Sequence, residues 1–166
     1  MSTVGSAEVI RSAVTNRAEC PARIDDMSLE SQVQRFYNEV WNIPDLAVIA
    51  DVMHPDVSFR GSLGSVRHGH VEFADYVRSV TGALSGYTCE IRQLVIDGDV
   101  VVARMMFSGR HTAEFLGRPP TGRDVSWAGA AFFTFDGDLI RDLWVLGDLV
   151  ALHAQLDAGT LAADND

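Results

Sequence analysis

The apolar positions of this chain of 166 residues change their period once, from helical to alternating, near Tyr87. Val33, Phe36, Tyr37, Val40 and Trp41 fall at i, i+3, i+4, i+7 and i+8. That spacing predicts one wide apolar stripe on a helix from about Ser28 to Asn42. Ser28 stands as its N-cap, and Glu30 lies in the first turn, where the helix dipole favours an acid. Pro44 opens a shorter helix with Leu46, Ile49 and Met53 on its buried face. His54-Pro55-Asp56 ends it, because proline disfavours helix in the residue before it. Val57 to Arg60 alternates as a short strand. After a loop rich in glycine, Val71, Phe73, Tyr76, Val77, Val80 and Leu84 predict a third helix from about His70 to Leu84.

Beyond Tyr87 the alternation predicts four strands, over 88–96, 99–111, 124–135 and 138–147. Asp97-Gly98 and Asp136-Gly137 join them in pairs, since both residue types tolerate positive φ in a tight hairpin. The link from Glu114 to Gly122 is turn-rich, and a last helix spans about 149–156. Helices first and strands after argue α+β, with helices packed on one face of an antiparallel sheet. Such a sheet wrapped around a helix leaves a concave mouth, a common place for a small-molecule pocket. Residues 1–27 read as an extension, 28–157 as the domain and 158–166 as a tail.

Composition narrows the function. Lys and Arg number 13 against 23 Asp and Glu, a net charge of −10. Such a chain lacks an electrostatic footprint for nucleic acid or an anionic membrane and favours a neutral or weakly charged partner. Hydrophobic residues at 47% and charged residues at 22% are ordinary for a globular domain. Cys20 and Cys89 have no metal-ligand spacing and read as free thiols in a reducing compartment. No stretch has the apolar core of a secretory signal or the ~18 apolar residues of a membrane span, so the cytoplasm is the expected compartment. His68-Gly69-His70 has no Cys or acid at ligand spacing, and phosphate-loop, dinucleotide and serine-hydrolase motifs are missing. No metal or cofactor is expected.

Several residues bear chemistry. On the last strand, counted from Leu139, the residues Ile140, Asp142, Trp144 and Leu146 share one face. If that face is concave, desolvation raises the carboxyl pKa of Asp142 and suits it to acid–base work. If it is not, Asp142 is a half-exposed strand acid. Arg104, inside the apolar run Val102 to Met106, needs a partner or a polar cavity. It either pairs with Asp142 or holds an enolate oxygen, or it bridges neighbouring strands. His111, where a strand enters the turn-rich link, is either a second proton-transfer group or a bond to the loop backbone. Trp41, Phe59, Met106, Trp127, Phe132 and Trp144 line a flat aromatic pocket or form plain core. Tyr37 has the same two readings.

The run from Ser108 to Arg123 resembles the signature loop of SnoaL-like polyketide cyclases. Asp136 to Trp144 resembles that family's last hairpin, and Phe36 to Asn42 its opening helix. The resemblance covers about residues 29–157. It implies a cone-shaped α+β barrel of the nuclear transport factor 2-like superfamily, with a strongly curved, mostly antiparallel sheet and the N-terminal helices in its concave face. It implies a cofactor-free cyclase that closes a ring, by intramolecular aldol chemistry, on a polyketide-like or related hydrophobic intermediate of antibiotic biosynthesis. Asp142 matches the position of the acid–base carboxylate, and Tyr37 the helix that supplies an oxyanion-binding tyrosine in ketosteroid isomerase. In that scheme Asp142 removes a proton α to a carbonyl, and Asp142 or His111 protonates the new alkoxide. Two departures stand out. The acid that limonene epoxide hydrolases place two residues after the corresponding arginine is Met106 here. The polar residue common in the preceding strand of the cyclases is replaced by Trp127 and Ala128. A homodimer or homotetramer is expected, built through the open sheet face. The alternatives are an epoxide-opening cyclase or isomerase in the same pocket, or a non-catalytic small-ligand or assembly protein of this fold.

Overall fold

The computed structural model describes residues 23–158. Cys20 and most of the extension, and the tail after Ala158, lie outside the described residues. The first helix, α1, covers Arg23–Arg35, so it is already formed upstream of the expected cap at Ser28. It runs on as a π-helix over Phe36–Asn42. The apolar stripe holds, since Val33, Phe36, Tyr37, Val40 and Trp41 are all buried. Its second half, however, is widened to the i→i+5 form, which is rare and concentrates at functional sites. Asn42 ends this segment. Its side chain accepts from the Cys89 backbone N–H at 2.7 Å and donates to the Cys89 carbonyl at 3.1 Å, much as a neighbouring strand would.

A 3-10 turn at Leu46–Val48, capped by the Asp45 side chain, leads into α2, Ile49–Val52. Strand β1 is Met53–Arg60, longer than expected because the chain leaves the helix before His54-Pro55. The edge strand β2, Val66–His68, is too short to show as alternation. Next come α3 (Gly69–Ala83), β3 (Leu84–Asp97), β4 (Val100–His111), β5 (Asp124–Asp136), β6 (Leu139–Gly147) and α4 (Leu149–Asp157). The strands form one open sheet in the order β2-β1-β6-β5-β4-β3. Only β1 and β6 run parallel. The α+β architecture with a curved, mostly antiparallel sheet is therefore present. Phe133, Phe36, Phe73 and Phe59 anchor the core between sheet and helices, with successive ring centroids 4.9 to 5.7 Å apart in that order.

Two details of the hairpins decide which side chains meet. Asp97 pairs with Val100 and Asp136 with Leu139, so the turn residues are Gly98-Asp99 and Gly137-Asp138. Gly98 and Gly137 have φ of 61° and 59°, and neither following aspartate has positive φ. A glycine alone in the first turn position is the type II′ arrangement. The turns thus sit one residue later than the Asp-Gly reading places them.

The second detail is a β-bulge. Phe135 pairs with Ile140 and Thr134 with Asp142, which leaves Arg141 extra on β6. The Arg141 guanidinium donates to His54 Nδ1 at 2.7 Å and reaches Asp56 at 3.4 Å, tying the bulge to β1. The β1–β6 register skips at the same point. Beyond the bulge the strand is turned over. Ile140, Leu143 and Val145 are buried, whereas Asp142, Trp144 and Leu146 are exposed. The face that Ile140, Asp142, Trp144 and Leu146 were expected to share does not exist.

Candidate active site

The concave side of the sheet holds a cavity lined by Phe36, Tyr37 and Trp41 from the π-helix, Phe59, Gly61 and Ser62 from β1 and its loop, and Tyr76 from α3. Tyr87, Cys89 and Phe107 from β3 and β4, and Leu143 and Val145 from β6, complete it. About 330 Å³ between these residues is free of atoms, the open side included, and the centre of a water molecule can occupy about 30 Å³ of it. As built it holds about two waters, so a ring-sized ligand enters by displacing aromatic side chains.

Local sequence explains the lining. The π-helix turns Phe36, Tyr37, Val40 and Trp41 inward together. Tyr87 and Cys89, two apart on β3, share a face, and Asn42 pins that stretch against the helix. Gly61 is small because a Cβ there would lie 2.4 Å from the Tyr76 hydroxyl. Gly147 leaves room for Ser62 and the Trp127 indole nitrogen, which a Cβ would meet at 2.8 and 3.1 Å.

No lining residue carries a carboxylate, imidazole or other formal charge. The polar groups are phenols, a thiol and a hydroxyl. Burial holds Tyr37 and Tyr87 well above the ordinary tyrosine range. Burial also pushes Tyr76 up to about 12, with the Leu63 backbone and the Arg67 charge pulling the other way. The Cys89 thiol is pushed up to about 12 by burial, and interaction with Tyr87 offsets this in part. All four stay protonated near neutrality and are available as hydrogen-bond donors. Among the buried polar atoms without a hydrogen-bond partner in the described residues, two belong to the cavity wall and its backing, the Tyr37 hydroxyl and Trp127 Nε1. Trp127 packs behind the lining, 6.1 Å from Tyr87 and 5.5 Å from Phe107 between ring centroids.

The expected site residues therefore divide. Tyr37, Trp41 and Phe59 line the cavity, with Trp127 against it. Asp142 is exposed on the convex face, because the Arg141 bulge reverses its side, and it cannot serve as the acid–base group of this cavity. Arg104 is exposed on the same outer face. It forms no ion pair with Asp142, which pairs with Thr134 two strands away. Met106, Phe132 and Trp144 also face outward. Phe132 and Trp144 pack edge to face at 5.6 Å, and the Arg60 guanidinium lies 5.2 Å from the Trp144 ring centroid. His111 is fully buried but belongs to the loop. Its Nδ1 accepts from the Thr121 backbone N–H at 3.3 Å and lies 3.2 Å from the Thr121 hydroxyl. Its backbone closes the base of the same loop through Arg123 and Gly122. The loop-bonding alternative for His111 is the one present. Tyr76, Tyr87, Cys89 and Ser62 were not among the expected site residues. The signal for Tyr87 and Cys89 was their shared strand face opposite the aromatic helix.

Residues 31–156 match the SnoaL-like polyketide cyclase family. The chain belongs to that family. Solved structures share the fold. TsrD from Streptomyces laurentii superimposes with a TM-score of 0.72 at 29% identity, over 80% of this chain and 96% of that one. A SnoaL-like polyketide cyclase from Agrobacterium tumefaciens gives 0.66 at 22% identity, over 77% and 97%. A protein of ketosteroid isomerase-like fold from Catenulispora acidiphila gives 0.65 at 14% identity, over 76% and 92%. No curated protein sequence matches the chain. Membership of the SnoaL-like family supports a role of the cyclase or isomerase type. No helix among the described residues is long and apolar enough to cross a membrane.

Proposed function

We propose that this chain is a cofactor-independent cyclase that closes a ring on a polyketide-like or related hydrophobic intermediate, working by orientation and neutral hydrogen-bond donation. The observation that carries this reading is the Tyr37 hydroxyl, buried at the cavity wall without a partner. An unsatisfied buried donor costs about 1–3 kcal/mol, a cost that a ligand oxygen removes. The aromatic lining suits flat, conjugated ligands.

The chemistry follows from the donor set. The nucleophile is an enol of the substrate, which carries its own removable proton. Its carbon attacks a carbonyl in the same molecule, the enol oxygen becomes a carbonyl, and its proton passes to the oxygen of the new alcohol. The sum is an isomerisation that needs no external base. Tyr37 donates to the carbonyl oxygen as negative charge gathers there. The packed rings hold the reacting carbons close, an effect worth several kcal/mol in favourable cases. The epoxide-opening alternative draws on the same donor, directed at the leaving oxygen.

The test compares two conservative variants in turnover of a conjugated polyketone. Tyr37→Phe should lower kcat by about 10²-fold, the effect of one oxyanion donor, with binding kept. Asp142→Asn should leave kcat unchanged. The reverse pattern would return the chemistry to the outer face.

For the partner, we propose a second copy of this chain on the convex face. Phe132, Trp144 and Leu146 are 42%, 37% and 53% exposed there. The pairings Val102–Phe132–Trp144, Arg104–Ala130–Leu146 and Val100–Thr134–Asp142 place Phe132 midway between Arg104 and Asp142. A diagonal two-fold axis through Phe132 sets each Arg104 against the other copy's Asp142, a self-complementary arrangement. Sedimentation equilibrium checks it. Arg104→Asp should give monomer, and Arg104→Asp with Asp142→Arg should restore the dimer.

A further inference from the structure

The neutral cavity has a cation at its edge, Arg67. It sits on the edge strand β2 directly opposite Phe59. Directly opposed residues of an antiparallel pair share a face, so Arg67 lies on the concave side with a lining residue. Its guanidinium carbon is 5.5 Å from the centroid of the Tyr76 ring, another lining residue. Nε is shielded from solvent and has no hydrogen-bond partner. No carboxylate among the described residues reaches it, and of the arginines in that position, with Arg60, Arg104, Arg110 and Arg123, it is the one set opposite the cavity residue Phe59. Glu72, in the first turn of α3, is engaged with the His68 backbone N–H at 2.8 Å. In a chain with 23 acidic residues, an unpaired, half-buried arginine beside a cavity is a receptor for an anion from outside.

We propose that Arg67 binds a carboxylate carried by the substrate, at the open side of the cavity, while the substrate's rings lie against Phe59 and Tyr76. The planar guanidinium fork matches a carboxylate in geometry as well as charge. The substrate class is then a conjugated, ring-forming acid, where the net charge of the chain alone points to a neutral ligand. The proposal rests on the cavity being the substrate site.

The experiment uses 2-naphthoate and methyl 2-naphthoate as probes, followed by quenching of tryptophan fluorescence. Wild type should bind the acid about ten- to a hundredfold tighter than the ester at low salt, the effect of a charge-assisted hydrogen bond. Arg67→Gln should abolish that preference and leave ester affinity unchanged, and Arg67→Lys should keep part of it. Circular dichroism and thermal midpoints verify that each variant is folded. Equal affinity for acid and ester in wild type, or a preference that survives Arg67→Gln, overturns the role of Arg67. If neither probe binds, or both bind undiminished after Val145→Phe narrows the cavity, the cavity reading fails and this one with it.

Discussion

The two faces of one sheet differ in kind. The concave face carries Phe59, Phe107, Phe133, Leu143 and Val145 and, between them, Gly129, Ala131 and Gly147, which make room for rings. The convex face carries Arg60, Arg104 and Asp142 among exposed Phe132, Trp144 and Leu146. Charge and aromatic surface together suit association with another protein surface, whereas neutral donors inside an aromatic shell suit a small conjugated molecule. The side chains that line the cavity thus carry no formal charge, and the cation Arg67 stands at its open edge.

The sharpest test substitutes one residue type on both sides. Phe36→Ala, at 1% exposure, should cost about 3–5 kcal/mol in chemical denaturation. Phe132→Ala on the outer face should cost well under half of that in the monomer and weaken self-association instead. A similar loss at both positions would mean the convex face is as much a core as the concave one.

Next in size is Gly129→Ala. Its Cβ would lie 2.5 Å from Phe107 Cε2 and 2.8 Å from the Leu146 carbonyl oxygen. Because the second contact is backbone, the ring cannot relieve it alone, and a loss of about 1–3 kcal/mol is expected.

Alkaline titration probes the buried donors together. The unfolded Cys89 thiol loses its proton around its ordinary value of 9.0, but the folded one keeps it until about 12. The unfolded state therefore binds fewer protons across that window, and stability should fall as pH rises from 9.0 towards about 12. Tyr76, with ordinary value 10.0 and a folded value of about 12, adds to the fall in the upper part. Cys89→Ala should flatten the early part of the curve, as read from denaturation midpoints at a series of pH values. The smallest effect is expected at Asp142→Asn, within about 0.5 kcal/mol in the monomer.

Much of this fold is legible in the pattern of apolar residues. The stripe from Val33 to Trp41 and the alternation after Tyr87 report burial, and burial is what the core selects. Tyr37, Trp41 and Phe59 are readable as cavity-lining residues for the same reason. Asp142 was misplaced because the alternation rule assumes an unbroken ladder. The bulge at Arg141 depends on contacts with His54 and Asp56, distant in sequence, and leaves no local signature. The π-helix is hidden in the same way, since its residues also fit ordinary helical spacing. Arg67 escapes because a strand of three residues has no period to read.

The bulge also sets what heredity and design can do with this sheet. Loss of the single codon for Arg141 would remove the extra residue and let the Phe135–Ile140 and Thr134–Asp142 pairs follow one another as a regular ladder, with Asp142 and Trp144 still outdoors and Leu143 and Val145 still inside. One deletion would cut the tie from β6 to His54 and Asp56 without changing what either face presents. An engineer who wants a carboxylate in this cavity would place it at Leu143 or Val145, where the strand already points inward, and leave Asp142 to the outer face.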